Sequence, residues 1–377
     1  ALILVLARTP GLSTALGLAG IFRAALVVHV DLSVLVWFMA FAGVIGSLAA
    51  PARSSGLARS AWGLAAAGTA VLCISPFAPD AQPVLNNYIP VLDHPVFGVG
   101  LGLCGMGFGL MLVGTLAARW SGGASGLPAG LRPLALGALG AGLLAWLTFG
   151  LTLGAAGAPT PQRAGFAYYE LLFWGAGHVL QFQHALLALV AWYALLAHLG
   201  ARLPAPGTRP AQLSAGLALL PLLSVPVLWV VAPHGSPAYT NAYARLMEWG
   251  HLFMLPAAAW VAAGIPTAWR AAPSPARSAL LASVLLFSVG GFLAFMIRGA
   301  NVVVPAHYHG SIVGVTIAFM GASYVLLPRL GFAEPHARWS RWQPWVYGGG
   351  QLMHILGLAW SGGYGVQRKV AGAEQVL

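Results

Sequence analysis

The 377-residue chain is 59% hydrophobic and only 7% charged, where soluble domains carry roughly 25% charged residues, so a water-soluble globular domain is excluded. Its formal net charge of +11 is scattered through short segments between apolar runs, a pattern that orients helices in a bilayer; a phosphate-binding patch, and with it nucleic acid as a partner, is excluded. The two cysteines, Cys73 and Cys104, both sit in apolar stretches and form neither a disulfide framework nor a metal motif.

Apolar runs of membrane-spanning length recur along the chain. Read between Pro, Gly and Arg punctuation, they give about eleven spans near 1–19, 24–50, 61–77, 95–118, 133–157, 166–198, 212–232, 246–268, 279–298, 303–328 and 343–360. The expected fold is all-α: a polytopic membrane protein in which residues 1–377 form a single transmembrane helical domain embedded in the lipid bilayer. Two longer polar connections, 77–94 and 233–245, read as loops. The chain starts on Ala1 and not on Met, and a preceding segment is expected.

The basic residues orient these spans. With the loop after the second span placed in the cytoplasm, Arg53, Arg59, Arg119, Arg132, Arg202, Arg209, Arg270, Arg277, Arg329, Arg338 and Arg341 fall inside. Arg8, Arg23, Arg163, Arg245, Arg298, Arg368 and Lys369 fall outside. Eleven against seven is a positive-inside bias, and Asp80 and Asp93 fall on the acid-bearing outer side. The expected location is a bacterial cytoplasmic membrane.

Eleven histidines against seven acids is an unusual balance for such a chain. A single histidine in a span ordinarily makes a hydrogen-bonded contact between helices. Here five of them, His29, His178, His234, His307 and His309, fall in the outer half of the bilayer on this topology. Uncoordinated polar side chains at that depth are costly, and imidazole is a common ligand for haem iron and copper. In "VPAHYHGSIVG", His307 and His309 are two residues apart, about 200° around a helix. They therefore point to opposite sides: they suit two different cofactors better than one shared metal.

These segments resemble subunit I of the heme-copper oxidase superfamily, which includes cytochrome c oxidases and nitric oxide reductases. "VVVPAHYHGSIVGV" is similar to that family's tenth helix, where A-H-x-H holds two haems. "AAGIPTAWR" and "LLFSVGGFLAFMIRGAN" resemble its eighth and ninth helices, "FWGAGHVLQF" its sixth, "FRAALVVHVDLSVLVWF" its second, "APDAQPVLNN" its third-helix loop and "RWQPWVYGGGQLMHILGL" its eleventh. The resemblance implies that His29 and His309 are axial ligands of a low-spin haem and that His307 is the proximal ligand of a high-spin haem. It implies that His178 and His234 hold a nearby copper or non-haem iron. Arg368 and Lys369, and more weakly Arg298 and Arg23, would sit near haem propionates.

Three departures from the family pattern stand out. Pro233–His234 replaces the family's paired histidines. His184 lies about 240° from His178 around the helix, and His251 forms E-x-x-H with Glu248, a pattern more often a structural pair than a metal site. Phe182 stands four residues after His178, where oxygen-reducing members carry a redox tyrosine and nitric oxide reductases a glutamate; Gln181 and Gln183 flank it. Tyr239 and Tyr243 follow His234 in an expected loop. Asp31, Glu170 and Glu248 are the acids near spans, all toward the outside, so a proton pump is not expected, and protons would enter from the outer face.

The resemblance thus implies a terminal oxidoreductase. Electrons would pass from an outer-face donor, a cytochrome c or a cupredoxin-like protein, through the low-spin haem to the high-spin haem and metal, reducing O2 or NO; the other membrane subunits of a respiratory complex are expected partners. The alternative is a non-catalytic haem subunit, for electron transfer or gas sensing, in which the second-metal site has degenerated.

Overall fold

The computed structural model describes residues 3, 4, 6, 11–18, 20–50, 56–118, 126–128, 130–160, 164–204 and 208–367. After a short helical turn at Leu12–Ala15, the helices are α1 (Phe22–Ala49), α2 (Gly56–Ile74), α3 (Pro95–Ala118), α4 (Arg132–Ala156), α5 (Phe166–His198), α6 (Arg209–Val231), α7 (Pro237–Arg270), α8 (Pro275–Ala294), α9 (Val303–Arg329) and α10 (Ala337–Gly363). Among the described residues nine helices, α1 to α9, are long and apolar enough to cross a membrane. In lipid every backbone polar group must be satisfied within the segment, and a helix does this.

Three differences from the sequence-based expectation have physical causes. The first expected span, 1–19, lies largely outside the described residues. The last is realised as α10, but that helix carries Arg338, Arg341, Gln343, Gln351 and His354 and is not among the nine. The connection 233–245 is not a loop from Pro237 onward: Ser236 accepts a hydrogen bond from the Tyr239 N–H and Pro237 fills the first turn, a strong helix start, so Tyr239 and Tyr243 lie buried in α7. The other polar connection holds an antiparallel hairpin, β1 (Gln82–Val84) and β2 (Val91–Asp93), with Val84 opposite Val91.

The described chain forms two compact units, residues 1–186 with 215–254, and residues 187–214 with 255–377. In the first, Val27 and Val28 of α1, Leu72 of α2, Phe97 of α3 and Phe173 of α5 pack around Val91 and Leu92 of the hairpin. Asp31 opens a π-helical stretch, Asp31–Val36, inside α1. It is almost fully buried, and neither carboxyl oxygen has a hydrogen-bond partner among the described residues. In the second, Ala282 and Leu286 of α8, Val313 and Ile317 of α9 and Ile355 of α10 form the core. There Trp192 donates to Ser283 Oγ at 2.7 Å, and Ser283 donates to the Gly314 carbonyl at 2.6 Å.

Lipid tails are as apolar as leucine, so helix association depends on close packing and interhelical hydrogen bonds. Small residues supply the closeness. A Cβ on Gly68 of α2 would stand 2.5 Å from Cys104 N and 2.6 Å from the Gly100 carbonyl of α3. On α8, a Cβ on Gly290 would stand 2.5 Å from Ser311 N of α9. Because backbone cannot yield as a flexible side chain can, Gly68→Val is expected to push α2 from α3 at a cost of about 1–3 kcal/mol. The check is a lower apparent thermal midpoint in detergent; an unchanged midpoint refutes the tight packing.

Candidate functional site

The candidate residues divide between the two units. In the first, His29 lies on α1, its carbonyl accepting from Ser33 Oγ at 2.7 Å; its half-buried ring takes no hydrogen bond among the described residues. His178 lies on α5. Its Nδ1 is 2.7 Å from the Trp174 carbonyl, four residues back, and its Nε2 is 2.9 Å from the Tyr88 hydroxyl. A carbonyl only accepts, so Nδ1 carries the proton, and Nε2 accepts from the phenol. Tyr88 sits at the tip of the β1–β2 hairpin, and its ring packs on both His178 (4.7 Å between centroids) and Trp174 (5.9 Å, edge-on). Burial, with the Glu170 charge a second cause, raises the Tyr88 pKa and keeps the phenol a donor.

Three further histidines of this unit, His251, His184 and His234, pack against aromatic rings. His251 donates from Nδ1 to the Met247 carbonyl at 2.9 Å and stacks on Phe182 at 4.1 Å. Phe182 thus has a packing role at the position where a tyrosine or glutamate was sought. His184 packs against Phe38, the rings tilted by 56° with centroids 4.3 Å apart. His234 precedes α7, edge-on to Tyr239 at 5.3 Å, with its Nδ1 buried and lacking a hydrogen-bond partner among the described residues. Tyr239 in turn accepts from Gly175 N and donates to the Leu171 carbonyl, tying α7 to α5.

In the second unit, His307 and His309 of α9 turn to different neighbours. His307 Nδ1 donates to the Gly290 carbonyl of α8 at 2.8 Å, and its Nε2 takes no hydrogen bond among the described residues. His309 Nδ1 donates to the Pro305 carbonyl at 2.8 Å, and its ring meets His354 of α10 edge-on at 5.2 Å. Arg298 turns its guanidinium back on the Phe295 and Ile297 carbonyls at the end of α8. Gln367 pairs with Asn301 just ahead of α9; Arg368 and Lys369, which follow it, lie outside the described residues.

Nine helices among the described residues, long and apolar enough to cross a membrane, define an integral membrane protein. Residues 1–376 match the family Cytochrome C and Quinol oxidase polypeptide I; the chain belongs to this heme-copper oxidase subunit I family. An uncharacterized protein of Rickettsia prowazekii (strain Madrid E) is 30% identical, covering 98% of this chain and 84% of the relative. An uncharacterized protein of Aquifex aeolicus (strain VF5) is 27% identical, covering 91% and 84%. Members of the family generally bind haems and copper and work with other oxidase subunits and electron donors.

The residues fit a haem at His307. An imidazole that ligates iron commonly anchors its other N–H on a carbonyl, and Gly290 supplies that carbonyl. They do not fit a second metal in the same way. Both His178 nitrogens already have protein partners, and among the described residues no group of three or more His, Cys, Asp or Glu stands close enough to hold one.

Sequence reasoning missed Tyr88, Gly290 and His354. Tyr88 is 90 positions from His178, beyond the reach of any local spacing, although the hairpin around it was open to a strand reading.

Burial holds the His234 imidazole below its ordinary value of 6.5. The unfolded chain therefore takes up this proton more readily than the folded one, so the stability contribution of His234 is full above 6.5 and drains as the pH falls below it. The apparent unfolding midpoint is expected to drop with acidification over this range, and His234→Gln to flatten the drop. A variant as acid-sensitive as the parent refutes the assignment.

Proposed function

We propose that this chain is a membrane haem oxidoreductase subunit. It takes electrons from an outer-face donor, a cytochrome c or a cupredoxin-like protein, through a low-spin haem to a high-spin haem that reduces O2 or NO. The observation that supports this best is the posture of His307: one nitrogen fixed on Gly290, the other left open. Bound haem iron supplies the electron exchange and the gas-binding position; everything else is the chain's task.

The Gly290 carbonyl holds the His307 ring in one tautomer and one orientation and makes its Nε2 a better donor. The close α8–α9 approach at Gly290 and Gly310 sets that carbonyl in place. Ala306, Val313 and Ile355 keep water from this part of α9. By the family pattern, His29 and His309 are the remaining haem-ligand histidines and Arg298, Arg368 and Lys369 the propionate-side cations. No step is assigned to His178 or His234.

A specific observation also favours the second reading, a haem subunit for electron transfer or gas sensing: His178 is engaged through both nitrogens. The two readings part on turnover. Purified protein is expected to contain two haems, one reacting with CO, and to consume O2 or NO when given a reduced outer-face donor. His307→Ala should lose the CO-reactive haem and keep the other. Haems without turnover favour the second reading; a colourless protein sinks both.

A further inference from the structure

We propose that Tyr88 occupies the place of a metal on His178, so that α5 carries a metal-free tyrosine–histidine pair. Three independent features of the first unit build this pair. The Trp174 carbonyl fixes the proton on His178 Nδ1 and leaves Nε2 as the single lone pair the ring can offer. The Tyr88 hydroxyl, 2.9 Å away, takes that lone pair. And the phenol is held there by more than its own hydrogen bond.

Glu170, two turns up α5, accepts from both the backbone N–H and the side-chain amide of Asn87, the residue next to Tyr88. Asp93, at the far end of the hairpin, accepts from the Tyr169 hydroxyl at 2.8 Å. The tip is therefore pinned to α5 on either side of Tyr88. Gly177 makes room for the ring: a Cβ there would run into the body of the Tyr88 side chain. Val91 and Leu92 bury the stem of the hairpin in the core of the unit.

A copper or iron ion on Nε2 would have to expel a phenol held by its hairpin, and among the described residues no group of three or more His, Cys, Asp or Glu stands ready to hold it. The arrangement makes Tyr88 a positioning residue for the His178 ring and leaves this helix with a hydrogen-bonded pair in a role the family gives to a metal. The inference rests on the family reading only in its choice of metals to test.

The experiment uses the full chain in lipid nanodiscs, loaded with Cu(I) or Fe(II), desalted and assayed for metal alongside His178→Ala. Equal metal in the two proteins is expected; a stoichiometric ion present in the parent and lost in His178→Ala overturns the proposal. Ring-15N-labelled histidine, read by solid-state NMR, gives a second measure that does not depend on that variant's folding. Tyr88→Phe is expected to move the His178 Nε2 resonance to that of an unbonded imine nitrogen while Nδ1 stays protonated; an unmoved resonance overturns the pairing. Haem content, measured on the same samples, tests the family reading separately, since a haem-free protein would still report on the pair.

Discussion

An imidazole inside a membrane helix must place its N–H, and in this chain the carbonyl it chooses decides what the other nitrogen can do. His178, His251 and His309 each donate from Nδ1 to the carbonyl four residues earlier, at Trp174, Met247 and Pro305. Those carbonyls already serve the helix and have a second lone pair to spare, so the anchoring is local. His307 instead reaches across to Gly290 of α8. That longer reach is open because Gly290 and Gly310 bring two backbones to a separation that no side chain would allow. Among these four rings, the candidate for the high-spin haem is therefore the one whose N–H anchor depends on tertiary packing.

The same contrast explains how much of the molecule could be read in advance. Helices α1 to α9 were legible because lipid imposes length and apolarity on any span, and both are visible in composition. The opposite facing of His307 and His309 follows from helical geometry alone. The start of α7 was legible in principle from Ser236–Pro237, yet polar residues around Tyr239 and Asn241 masked it. The partners of the rings were not legible. Tyr88 with His178, Gly290 with His307 and His354 with His309 join residues far apart in sequence, and no periodicity carries such a pairing.

Phe182 shows why a missing motif residue needs a physical reading. At its position the family pattern asks for a redox or iron-holding side chain. In this chain the ring lies flat on His251 and against Gly250, where a Cβ would meet it at 2.7 Å. The site is filled to close packing, and a tyrosine would need room for its hydroxyl there. The hydroxyl has not left His178, however; it comes from another element.

That element is the β1–β2 hairpin, and it answers three polar residues in the N-terminal half of α5. Asp93 meets Tyr169, Asn87 meets Glu170, and Tyr88 meets His178. The buried His178 ring would be expensive to leave unsatisfied, and all three groups are satisfied by a short segment whose stem is buried beside α1 and α3. The hairpin supplies in one piece what separate helices supply elsewhere in a bundle. Once it is docked, the orientation of the His178 ring follows from it, just as the orientation of His307 follows from the contact of α8 with α9.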